Sequence, residues 1–250
     1  MSAFGDAVVY LNDPYNWTRP NGILDLAVQH LTIAGLAVGI ALVLALPPAI
    51  WLGHTGRGGG MTVAISNVSR AVPTLAVLTI FAVTPLAFTI WAPVIALTLF
   101  AIPPILANTY VGLREVDRDV VEAARGMGLS TRQVIGRVEL PLALPLVMTG
   151  IRTAAVQVVA TATLAALLAG GTLGAIIRSG FGTQNYGVVV AGAILVAALA
   201  LLTELVLAVV SWALTPRGSR RALPWARRRP AVAAEGEQVE TQRELIDSPF

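Results

Sequence analysis

The sequence predicts an all-α polytopic membrane protein with about five transmembrane helices, and three observations carry that reading. Of 250 residues, 56% are hydrophobic and only 12% charged, about half the ~25% charged share of an ordinary soluble domain. So few charges cannot cover a water-facing surface. The apolar residues gather into charge-free intervals, each long enough for the roughly 20 residues that cross a hydrocarbon layer. The basic residues, all 17 of them Arg, concentrate in alternate connections, as cytoplasmic loops require.

The elements follow from those intervals. Residues 1–22 are mixed and polar, contain Asp6 and Asp13, and lack the basic start of a cleavable signal. Tyr15 and Trp17 suit an interfacial, extracytoplasmic segment. A membrane domain is expected over 23–215. Its first span lies in the charge-free interval Leu26–Gly56. The next interval, Ala71–Leu113, has 43 residues without a charge, which is two spans joined by a tight turn placed at Trp91-Ala92-Pro93. A fourth span is expected between Arg152 and Arg178, and a fifth between Arg178 and Pro216, interrupted only by Glu204. With the N-terminus outside, fourteen Arg fall on the inner side, against Arg19 and Arg178 outside and Arg152 near a boundary. That predicts an extracytoplasmic N-terminus and a cytoplasmic C-terminus in a cell membrane. Residues 216–250 turn abruptly to Arg, Pro, Ala and Glu and read as a disordered cytoplasmic tail. Its first half suits anionic headgroups, or serves simply as a stop-transfer anchor.

Composition also excludes chemistry. There is no Cys and no Lys, and the two His, His30 and His54, lie far apart. Thiol nucleophiles and the phosphate-binding lysine of nucleotide-hydrolysing loops are therefore absent. No His spacing matches a metal site. No G-x-S-x-G, intramembrane Asp pair or suitably placed His supports an intramembrane enzyme.

The polar segment 114–141, REVDRDVVEAARGMGLSTRQVIGRVELP, carries the strongest signal. Asp117 is a suitable N-cap for a helix through Arg125, with Val120, Val121 and Ala124 on one face. Gly126 and Gly128 end it. Ser130 and Gln133 form a capping box that opens a second helix through about Val138. Leu140-Pro141 closes the segment, with Pro141 starting the next span. A capped surface loop and a docking element both fit this pattern.

Glu122-Ala123-Ala124, Gly128 and then Val138-Glu139-Leu140-Pro141 resemble the EAA loop of binding-protein-dependent ABC importer permeases. The resemblance extends over roughly residues 20–215. It implies the type I importer permease fold, with Glu122, Ala123, Ala124, Gly126, Gly128, Leu140 and Pro141 in an ATPase-coupling loop. It also implies separate cytoplasmic ABC ATPase subunits, an extracytoplasmic substrate-binding protein and a second permease subunit, identical or paralogous. No cofactor is expected in this chain, since ATP and Mg would be bound by the partner ATPase. Within the family, Pro73-Thr74-Leu75-Ala76, Asn108-Thr109-Tyr110 with Gly112-Leu113, Gly150-Ile151-Arg152-Thr153 as the opening of the fourth span, and Thr161–Gly174 as its end resemble permeases for glycine betaine, choline and carnitine. A methionine-type permease shares the Gly-rich ending, and the alternative is a permease of that type or of another small-solute ABC importer. A membrane scaffold would not require the loop spacing.

A quaternary ammonium ion is held by aromatic faces at ~0.5–2 kcal/mol per contact. Phe81, Phe88, Trp91, Phe100, Tyr110 and Tyr186 are near the spans, while Trp51, Trp91 and Trp212 fall where an interfacial belt would. In this type of importer the aromatic cage belongs to the binding protein, so the permease path is sought among small polar residues. Thr153, Gln157 and Thr161 share one helix face at i, i+4 and i+8, and Asn108 and Tyr110 join them as path candidates. Helix packing explains such residues equally well. Gly170, Gly171 and Gly174 suit a gate or a plain turn. Glu204 is left between Arg152, Arg178 and snorkelling.

Overall fold

The computed structural model describes residues 2–60, 62, 64, 73–87, 89–167 and 171–215. Secondary structure in these residues is helical. Two short helices come first, α1 (Ala3–Asn12), capped by the Ser2 side chain, and α2 (Pro14–Thr18), capped by Asp13. The expected interfacial segment is thus folded. The Trp17 indole N–H donates to the Leu11 carbonyl at 2.7 Å, and the Asn16 amide donates to the Tyr10 carbonyl at 3.0 Å.

The long helices follow. α3 is Ile23–Thr55, closed by Gly56 in the left-handed region at φ 71°. α4 is Thr74–Ala82 and α5 is Trp91–Arg114. α6 (Arg118–Gly126) and α7 (Thr131–Val134) form the polar segment. A π-turn, Ile135–Glu139, leads from α7 into α8 (Leu140–Thr161), which tightens into a 3₁₀ stretch, Ala162–Leu167. α9 (Gly174–Gly182) and α10 (Tyr186–Leu214) complete the chain's described part.

Small residues set the packing. Ala37, Ala41, Ala45 and Ala49 recur every fourth position on α3 and are fully buried, which lets α5 approach closely. The Thr98 hydroxyl of α5 reaches the Ala37 carbonyl at 3.2 Å. A Cβ on Gly53 would stand 2.8 Å from Leu113 Cβ. α3 and α5 therefore run parallel. On the other side of α5, a Cβ on Gly150 would meet both Asn108 Cβ and the Pro104 carbonyl at 2.8 Å, so α8 crosses α5 at bare backbone.

Parallel α3 and α5 dictate the topology. The connection from 56 to 90 must return the full length of α5, roughly 34 Å at 1.5 Å per residue. Among the described residues four helical stretches are long and apolar enough to cross a membrane, beginning at Pro14, Trp91, Thr131 and Tyr186. Within that connection the described helix is α4, Thr74–Ala82. α3 begins and α10 ends at opposite ends of the bundle.

Three boundaries differ from expectation. Residues 83–87 and 89–90 form turns before α5, and Trp91, Ala92 and Pro93 are in the first turn of the helix, where a proline's missing N–H costs nothing. The fourth long helix does not open at Gly150–Thr153; those residues lie in the middle of α8. Arg152 can sit there because its guanidinium pairs with the Glu204 carboxylate of α10. A charge-free interval is a poor ruler once two charges neutralise one another across helices. Nor does that helix run to Gly174: it ends at Thr161, and α9 is a separate element. The expected tail, 216–250, lies outside the described residues.

Candidate functional site

The polar segment folds as its caps dictate. The Asp117 carboxylate accepts from the Asp119 N–H at 3.0 Å. α6 then closes in a Schellman motif: Leu129 N–H to the Ala124 carbonyl at 3.2 Å and Gly128 N–H to the Arg125 carbonyl at 2.9 Å. That motif needs a left-handed residue, and Gly128 takes φ 85°. The capping box is complete, with the Ser130 N–H donating to Gln133 Oε1 at 2.8 Å.

The second helix does not stop at Val138. It passes through the π-turn, where the Leu140 N–H donates to the Ile135 carbonyl, and becomes α8 without a break. A widened turn relieves the clash Pro141 would otherwise make with the carbonyl four residues before it. The segment is therefore a rigid extension of a spanning helix, bent back once at Gly128.

Its inner face is apolar. Val121 and Ala124 bury against Leu113, Val116, Val134, Ala143 and Val147, so α6 is seated on the adjoining ends of α5 and α8. Val120 does not join that face; it is 44% exposed, one helical step of 100° away from Val121. With Ala123 and Met127, the latter 75% exposed, it forms an outward apolar strip at i, i+3 and i+7. Glu122 and Gly126 are also exposed. Leu140 and Pro141 are half-buried at the head of α8.

The expected path residues separate into two groups. Thr153 and Gln157 are exposed on α8 and Thr161 is half-exposed beside them. Thr149, missed at i−4 in the same series, extends the strip. The Thr149 and Thr161 hydroxyls donate back to the Pro145 and Gln157 carbonyls of the same helix at 2.9 and 2.7 Å, and the Gln157 side chain stands exposed beside them. Asn108 instead packs under Gly150, its amide donating to the Pro104 carbonyl at 2.8 Å. Tyr110 lies near the last turn of α5 with its hydroxyl against Gly59. Both side chains are half-buried. Of the gate candidates, Gly170 lies outside the described residues. Gly171 lies against the Gln29 side chain, and Gly174 lies on the Thr163 carbonyl, where a Cβ would collide.

Both histidines hold α3 to α8. His30 is fully buried, and its Nε2–H donates to the Val159 carbonyl at 2.8 Å, near the point where α8 tightens into 3₁₀ geometry. At the opposite end, His54 Nδ1 lies 2.7 Å from Oε2 of the fully buried Glu139. Sequence spacing hid both contacts, since the partners are 129 and 85 residues apart.

Comparison with known proteins agrees with this architecture. Residues 37–215 match the model of the binding-protein-dependent transport system inner membrane component family. The choline transport system permease protein OpuBB of Bacillus subtilis is 35% identical over 82% of this chain and 94% of its own length. The carnitine transport permease protein OpuCB of Listeria monocytogenes is 37% identical over 78% of this chain and 88% of its own. A solved structure of the MetNI methionine ABC transporter in an inward-facing conformation superposes with a TM-score of 0.66, covering 82% of this chain and all of that one at 21% identity. That last likeness concerns the fold alone. The chain is a membrane-embedded transport component and belongs to the family of binding-protein-dependent transport system inner membrane components.

Proposed function

We propose that this chain is one of two permease subunits of an ATP-driven importer for quaternary ammonium osmoprotectants such as choline, carnitine and glycine betaine. The observation that carries the path is the open polar strip Thr149, Thr153, Gln157 and Thr161 on α8. An apolar bundle leaves such a strip uncovered where a second subunit completes an aqueous route. Hydroxyls and an amide without charge give brief contacts, which suit release better than capture. The substrate class rests on relatives named for choline and carnitine transport. A methionine cargo has only a likeness of fold behind it.

Coupling is assigned to α6 and the Gly128 turn. A separate ATPase, which binds ATP and Mg, grips the exposed strip Val120, Ala123 and Met127 with Glu122 at its edge. Its closure then moves α8 as one body. The Arg distribution supports an N-terminus outside and this loop inside, with the binding protein meeting the end that carries α1 and α9. Gly171 precedes α9 and Gly174 opens it at that end, where a gate would stand.

The test is uptake of radiolabelled choline and glycine betaine by vesicles holding the complete complex and its binding protein. ATP-dependent uptake of either solute is expected. Methionine uptake without either would remove the substrate assignment and leave the transport role. Labelling of a Cys placed at position 235 from outside intact cells would reverse the orientation.

A further inference from the structure

The contact between His54 and Glu139 lies where the proposed lever leaves the bundle. Glu139 is the last residue of the π-turn, and none of its surface is exposed. Its Oε2 is 2.7 Å from His54 Nδ1, and its Oε1 has no hydrogen-bond partner among the described residues. His54 belongs to the last turn of α3, two residues before the left-handed Gly56 that stops the helix. One buried carboxylate thus fastens the head of α8 to the end of α3, with the imidazole as its partner.

Two features single out this contact. A buried carboxylate held by one partner is costly unless that partner stays in place, so it resists sliding of one helix past the other. The π-turn, a form enriched at functional sites, accommodates an extra residue and resets the face that Glu139 presents. The opposite ends of the same two helices are fastened differently, through His30 and a backbone carbonyl.

We propose that the His54–Glu139 contact is a positioning clasp: it makes α3 follow the coupling segment when the ATPase closes, so that both helices turn as one unit. Without it the coupling segment swings while α3 lags, and ATP is spent with little solute moved. This inference rests on the coupling role assigned to α6, and the clasp itself can be judged without any substrate.

The chain has no native Cys, so spin labels can be placed on the exposed positions Thr55 and Arg132 in the complete complex in nanodiscs. The wild type is expected to give one narrow distance distribution. His54→Leu combined with Glu139→Leu removes both partners and leaves no buried charge, a replacement that commonly keeps the fold. It is expected to assemble normally, to broaden that distribution, and to lower choline moved per ATP hydrolysed by at least about fivefold. Glu139→Gln keeps an acceptor for His54 and should stay within about twofold of wild type on both readouts. A double-Leu complex with a wild-type distance distribution and an unchanged ratio of uptake to hydrolysis overturns the clasp. So does a loss of uptake and hydrolysis in strict parallel. A wild type that moves neither choline nor glycine betaine would count against the substrate assignment, while the distance measurement would still decide the clasp.

Discussion

Gly128 and Gly126 make a matched pair on which the coupling assignment can be tested. A Cβ added at either meets nothing within 4 Å, so neither substitution creates a clash. They differ in backbone alone. Gly128 has φ 85°, a region in which a side chain costs about 1–2 kcal/mol. Gly126 is the last residue of α6, where Ala replaces Gly with a gain of up to ~1 kcal/mol. At 298 K, 1–2 kcal/mol shifts an equilibrium by roughly five- to thirtyfold. If the bent-back lever is the form that docks, its reduced population lowers apparent ATPase affinity by up to the same factor. Gly128→Ala is therefore expected to weaken co-purification of the ATPase and slow ATP-driven uptake by up to that factor, with expression and thermal stability of the membrane part unchanged. Gly128→Asp adds a charge beside Met127 and should lose docking outright. Gly126→Ala should behave as wild type or better. Titration of detergent-solubilised complex with tagged ATPase, run beside vesicle uptake, gives both numbers. Equal behaviour of Gly126→Ala and Gly128→Ala would refute the lever.

Three further outcomes follow from other contacts. Met127→Ser is expected to leave thermal stability untouched, because the side chain is 75% exposed, and to weaken ATPase association by on the order of tenfold if that thioether is buried on docking; unchanged association would move the interface elsewhere. Gly150→Leu should force α5 and α8 apart and cost about 1–3 kcal/mol or more, read as a lower melting temperature of the purified chain; an unchanged melting temperature would contradict the close crossing. Arg152→Leu strands Glu204 in an apolar setting at about 2.5–3.5 kcal/mol, whereas Arg152→Leu with Glu204→Leu should recover most of that loss. A double variant no better folded than the single one would show that the two charges do not meet.

The polar segment was legible because its structure is local. Asp117, Ser130 and Gln133 satisfy backbone groups within three residues of themselves, and Gly128 serves a turn that only a residue free of Cβ enters cheaply. Such choices depend on neighbours in sequence and survive any packing. The continuation of α7 into α8 was not legible. Pro141 reads as a stop in any local account, and only the π-turn before it lets the helix continue.

What the sequence determined by itself was that the chain lives in a membrane, how its apolar segments are spaced, and the bend of its polar loop. Each follows from side-chain transfer energies or from bonds closed within a few residues. Which residues meet across helices was decided by the tertiary structure alone. Arg152 reads as a boundary until Glu204 arrives from α10. Asn108 and Thr153 both read as path residues, yet Asn108 lies against Gly150 while Thr153 faces outward. His54 and Glu139 look unrelated at a separation of 85 residues. Partners of this kind are chosen by helix crossings that small residues permit, and a crossing is a property of two surfaces together. No single segment carries it.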